Sequence, residues 1–192
     1  MKIRIVRFSM ALVLSLATLL PAATASQDKE KRDEWSAVAM GTGGAAGGGS
    51  IQFDFHLDKY TTDAEVQELA ALLKEKGQDA LRKALEKLTV GRINAVGRTG
   101  NDIAVARKRQ QGNTTIITIV TARTMPFIEL YARSRTTDYP FGFLRVTLNE
   151  KGEGEGKIMA AASIKFNQKK GQYELESYGN QYIRATNVRP WK

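Results

Sequence analysis

GEGEGKIMAAASIKFN, residues 152–167, carries two alternating faces. Ile158, Ala160, Ala162, Ile164 and Phe166 share one; Lys157, Met159, Ala161, Ser163 and Lys165 share the other. A period of two marks a β-strand, because successive side chains leave opposite sides of a pleated backbone. Gly152, Gly154, Gly156, Ala160 and Ala162 all have the parity of the apolar face, and all are small. Small residues on a buried face let another element come close. Ala70, Ala71, Ala80 and Ala84 upstream form a matching small set at helical spacing, so the expectation is a helix packed on this sheet. A second account of the same residues is a cavity for an apolar or lipid ligand between sheet and helices, although most protein interiors are packed solid.

Working outward from this strand, the flanking segments alternate as well. FGFLRVTLN (141–149) and FIELYARSR (127–135) read as strands, and TTIITIVTA (114–122) is β-branched on both faces, as a central strand would be. In IQFDFHLD (51–58), Ile51, Phe53, Phe55 and Leu57 oppose Gln52, Asp54, His56 and Asp58. Three turns rhyme: RKRQQGN, LNEKGEG and FNQKKGQ bring Gly112, Gly152 and Gly171 to the end of a short polar loop. Glycine there suits a type I turn followed by a left-handed residue, and such hairpins in succession imply an antiparallel meander. Thr62-Asp63-Ala64-Glu65 fits a helix-starting capping box. Val66, Leu69, Ala70 and Leu73 recur at helical spacing before Gly77, and Leu81, Ala84, Leu85 and Leu88 do so after it, which reads as a helical hairpin. The predicted fold class is α+β: an antiparallel meander of about six to seven strands packed against a short helical hairpin.

The N-terminus predicts export. MKIRIVR is basic, Phe8 to Leu20 is apolar, Pro21 breaks the run, and Ala23-Thr24-Ala25 offers the small residues that a signal peptidase reads. The run is too short for about 30 Å of hydrocarbon, so no membrane span is expected after cleavage. Residues 1–25 are therefore assigned to a signal peptide, 26–49 to a charged and glycine-rich flexible lead-in, and 50–192 to one α+β domain. Within the lead-in, QDKEKRDE (27–34) has nothing to bury and WSAVAM (35–40) is a brief apolar island. GTGGAAGGGS (41–50) superficially resembles a phosphate loop, but a strand follows it where a nucleotide fingerprint needs a helix. It reads as a tether.

Composition narrows the chemistry. With no cysteine, there is no disulfide, thiol catalysis or zinc-thiolate site. The single histidine, His56, stands between Asp54 and Asp58 on the polar face of its strand. The three are weak candidates for a metal site, and a solvated strand face is the favoured account. No nucleophile motif accompanies His56, and no cofactor is expected. Glu129, Glu153, Glu155, Glu174 and Glu176 leave open a hydrolase that uses paired carboxylates.

The net charge is +9, and the leader supplies three of the cations without any acid. Arg107, Arg133, Arg145, Lys157 and Lys165 fall out of phase with the apolar positions, so they belong to the outer face of the sheet. Arginine on a rigid sheet can hold phosphate, sulfate or carboxylate bidentately. An exported protein rarely meets nucleic acid, so the expected partner is an anionic glycolipid or polysaccharide. A solvated basic face that maintains solubility accounts for the same residues.

TDAEVQELAALLKEKGQDAL (62–81), TDYPFGFLRVTLNEKGEGEG (137–156) and YGNQYIRATNVR (178–189) together resemble a group of small exported bacterial proteins without an assigned activity. The resemblance implies a secreted bacterial domain and assigns no functional residue. The leading expectation is thus an exported, non-enzymatic binding or structural protein of the periplasm or cell exterior. A carrier of an apolar ligand comes second and a hydrolase third. Oligomeric state is not legible.

Overall fold

The computed structural model describes residues 32–41, 49–125, 127, 137–180 and 182–191. Among the described residues, nine strands and one α-helix follow in chain order: β1 (Asp33–Met40), β2 (Ser50–Leu57), α1 (Asp63–Leu85), β3 (Gly91–Ala95), β4 (Asn101–Gln111), β5 (Thr114–Thr121), β6 (Phe141–Leu148), β7 (Gly154–Asn167), β8 (Gln172–Ser177) and β9 (Ile183–Pro190). All pairings are antiparallel, and neighbours in sequence pair from β1 through β7. β9 then lies between β7 and β1. That insertion closes the sheet into an eight-stranded barrel. β8 pairs with the distal half of β7, beyond the β9 register.

This corrects the expected open meander packed against a helical hairpin. Gly112, Gly152 and Gly171 all have φ between 59° and 76°, in the left-handed region, but Gly112 opens a two-residue turn and does not end a polar loop, because RKRQQ stays within β4. Nor does β7 keep a single alternation: its register against β6 shifts between Phe141 and Phe143, Ala160 and Ala161 both join the barrel interior, and Ile164 packs with the residues beneath the helix. Two of the small residues of β7, Gly154 and Gly156, accommodate strand backbone, while α1 lies on the distal half of the same strand, where Gln78 accepts from the Ile164 amide. Gly154 and Gly156 stand opposite Leu148 and Val146 of β6. A Cβ at Gly156 would run into the Arg145 carbonyl oxygen, and one at Gly154 into the Thr147 carbonyl oxygen. Glycine permits the close backbone approach needed where a barrel wall bends sharply.

Closure also recruits residues assigned to the lead-in. β1 lies within 26–49, yet it pairs along its length with β2 and buries Trp35, Ala37 and Ala39. The glycine tract therefore connects two wall strands, with the Gly41 amide donating to the Gly49 carbonyl at 2.9 Å. Residues 42–48 lie outside the described residues, as do the leader and all of FIELYARSR except Phe127.

Inward positions are apolar, with large rings set among alanines. Trp35 stacks on Phe55 with 5.0 Å between ring centroids, and Phe53 lies 6.2 Å from Phe55 and 5.0 Å from Phe127. Eight strands enclose a space about wide enough for side chains to fill. Outward positions carry the charges, the reverse of a barrel wall that faces lipid. Among the described residues, no helix is long and apolar enough to cross a membrane.

The helix lies outside the wall. Its capping box is present in both directions: the Thr62 amide donates to Glu65 Oε2 at 2.7 Å, and the Glu65 amide to Thr62 Oγ1 at 3.3 Å. Gly77, at φ 78°, kinks the helix without reversing it into a hairpin. Leu73, Leu81 and Leu85 bury themselves against Ala104, Val105, Ala122 and Phe141. A register shift between Ile103 and Val105 sends Ile103 and Ala106 to the barrel interior and leaves Ala104 and Val105 beneath the helix. Gln78 fixes the kinked half, accepting from the Ile164 amide at 2.9 Å and donating to the Asp138 carbonyl at 3.1 Å.

Candidate functional site

Strand registers set the outward charges in a row. Arg107 of β4 is opposite Thr118 of β5, and Thr118 is opposite Arg145 of β6. Arg145 is opposite Lys157 of β7, which is opposite Arg184 of β9. Neighbouring strands are about 4.8 Å apart, so the row spans roughly 19 Å around the wall. Its last three members are adjacent cations. Like charges directly opposite each other in a sheet are destabilising, and an anion laid across them relieves that repulsion.

The row is only partly neutralised from within. Arg107 pairs with Asp63 at the start of α1 and donates to the Thr61 carbonyl at 3.0 Å. Lys157 Nζ sits 4.8 Å from the centroid of the Tyr182 ring. Arg184 meets Glu155 at 3.3 Å, but both side chains are more than half exposed, and such pairs contribute little. Arg145, and Arg109 one outward position along β4 from Arg107, make no ion pair or hydrogen bond among the described residues.

Those two arginines share a concavity of about 380 Å³ with Arg107, Thr118, Ile116 and the first turn of α1. Asp63 is its one lining carboxylate, and it is engaged by Arg107. The concavity thus presents two uncommitted guanidiniums beside a hydroxyl, which suits a carboxylate, sulfate or phosphate group. Beyond Arg145 an open groove continues past Lys157 and Tyr182 to Arg184.

Of the residues predicted from sequence, Arg107, Arg145 and Lys157 are brought together. Lys165 is not, because it lies on the distal half of β7 opposite Glu174. Arg133 lies outside the described residues. Arg109 and Arg184 were not singled out as site residues, although alternation within RKR places 107 and 109 on one face, and IRATNVRP exposes Arg184 between the buried Ile183 and Ala185. Their meeting depends on register between strands.

Asp58, Glu155, Glu174 and Glu176 have other engagements. Asp58 accepts from Arg32 at 2.8 Å and lies 3.9 Å from His56 Nε2. Asp54 faces Ser36 and Asn94 in register. Among the described residues, no three His, Cys, Asp or Glu side chains converge as a metal site would require. Glu174 binds Lys170 and Asn167, which hold its carboxyl below the ordinary range. Glu176 accepts from the Tyr139 hydroxyl at 3.0 Å. Glu129 lies outside the described residues.

Asp54 Oδ1 is shut off from solvent and has no hydrogen-bond partner among the described residues. Burial pushes its carboxyl above the ordinary range. The native state therefore holds this proton more tightly than the unfolded chain, and stability falls as pH rises through that interval. Asp54→Asn removes the buried charge. At pH 7 it is expected to raise the melting temperature slightly, since the second carboxylate oxygen still meets solvent and screens the charge. The gain should shrink as pH falls through the raised value and vanish below about 3.9. Calorimetric scans of both proteins across pH check this, and a lower melting temperature for Asp54→Asn at pH 7 would contradict it.

No family model, curated protein or solved structure matches the chain.

Proposed function

We propose that this chain is an exported, non-enzymatic binding protein that engages an anionic glycan or glycolipid headgroup at the cell surface through the basic face of its barrel. Export is supported by the basic start, the apolar run and the Ala-Thr-Ala ending of residues 1–25. The observation that carries the binding function is the pair Arg109 and Arg145, uncommitted in one concavity and continued by the cationic row. The barrel wall fixes the spacing of these cations, so little order is lost when they meet a polyanion.

The test is retention on an immobilised carboxylated polysaccharide as salt is raised. Each charge-assisted contact contributes about 1.5–3 kcal/mol, so Arg109→Gln/Arg145→Gln is expected to weaken binding at least tenfold. Its salt dependence should also be shallower. Lys165→Gln, which removes a cation away from the row, should bind almost as the native protein does. Equal retention of the double variant, or binding that ignores salt, would overturn the reading.

A further inference from the structure

We infer a second site, for a pyranose ring, where β9 bulges beside Trp191. Its premises are independent of the basic face. Seen from β1, Arg189 pairs with Ser36 and Thr186 with Val38, so two residues of β9 oppose one of β1. Seen from β7, the same shift falls between Gly154 and Gly156. Asn187 sits in the bulge with φ 52°, the one described non-glycine residue with a left-handed backbone. A bulge interrupts the ladder and redirects side chains, which is why bulges recur beside functional sites.

Here the interruption opens two adjoining concavities of about 350 and 560 Å³, a size range suited to small ligands. They share Ser36, Gln52, Glu153 and Arg189. Lys151 and Trp191 complete the larger one. Trp191 is 55% exposed, while its backbone amide donates to the Glu34 carbonyl at 2.9 Å and so fixes its backbone on the wall beside the concavity. An exposed indole on a fixed backbone offers a large apolar platform, and with only two side-chain torsions it loses little freedom on binding.

The surrounding groups name the ligand class. A pyranose has an apolar face of C–H groups and a rim of hydroxyls that both donate and accept. Trp191 fits the face. Gln52 can donate and accept, Glu153 accepts, and Arg189 and Lys151 donate. A purely apolar ligand would leave these groups unpaired, and a simple anion would leave the indole unused and meet Glu153.

Isothermal titration calorimetry with hexasaccharides of glucose, N-acetylglucosamine and galacturonate, at low and at high salt, tests the site. At least one should bind saturably. Trp191→Ala should weaken that binding about tenfold at both salt concentrations, Trp191→Phe should recover most of it, and Gln52→Ala should lower it severalfold. Arg109→Gln/Arg145→Gln should leave the salt-independent component unchanged. Trp191→Ala that binds as well as the native protein, or no saturable binding of any of the three, overturns this inference without touching the basic face.

Discussion

Phe53→Ala is expected to lower the unfolding free energy by about 3–5 kcal/mol, the range for deleting a fully buried aromatic ring. Phe53 has no exposed surface and touches the rings of Phe55 and Phe127. Its cross-strand neighbours are Ala37 and Ala95, one on each side. Alanine on both flanks makes room for the ring in the native barrel. It also means that neither flank can fill the void once the ring is gone. The melting temperature should fall by roughly 10 °C, since about 1 kcal/mol corresponds to 2–4 °C at this chain length. Phe53→Leu, which keeps much of the volume, should cost under about 1.5 kcal/mol. Urea unfolding measures both. A loss below about 1 kcal/mol for Phe53→Ala would show that the barrel interior is not filled by these rings.

Gly156→Val tests closure. The Cβ would meet the Arg145 carbonyl oxygen and stand 2.8 Å from Val146 Cγ1. Backbone cannot rotate out of the way as a side chain would, so β6 and β7 must separate along the seam where Val146 faces Gly156. Overpacking in a tight interior costs about 1–3 kcal/mol, and the upper end applies because a ladder must shift. The loss should also appear as faster amide exchange in β6 and β7, with α1 retaining most of its protection. An unchanged melting temperature would mean that β7 does not approach β6 this closely. Because Arg145 lies on the same seam, the variant should also weaken polyanion binding without removing any charge.

Much of the chain was legible residue by residue. The alternation of IQFDFHLD became β2 with Phe53, Phe55 and Leu57 buried. The capping box at Thr62 and the turns ending in Gly152 and Gly171 are local devices, decided within a few residues, and they stand where their sequence places them; Gly112 is left-handed too, but it opens a two-residue turn. The outward phase of Arg107, Arg145 and Lys157 was equally readable, because parity within a strand needs no knowledge of its neighbours.

Which outward residues meet was not readable. Arg184 reaches the row because β9 pairs with β7 at Lys157 and Ile158, and β9 closes the barrel against β1, a contact that joins residues 148 apart, as between Thr186 Oγ1 and the Val38 carbonyl. Trp35 looked like an isolated apolar residue in a charged lead-in for the same reason: its partners are Phe55 and the distant strand β9. The glycines of β7 signalled close approach, and sequence could not say whether helix or strand would approach.

Local composition thus fixed the strands, the turns, the helix start and the side of the wall on which each cation stands, since these depend on backbone preferences and alternation over a few residues. Closure, the cationic row and the groove at Trp191 were decided by pairings between strands far apart in the chain. A one-residue change in such a register would send every side chain of that strand to the other face, and the only thing selecting the register is how well all the strands together fill the barrel.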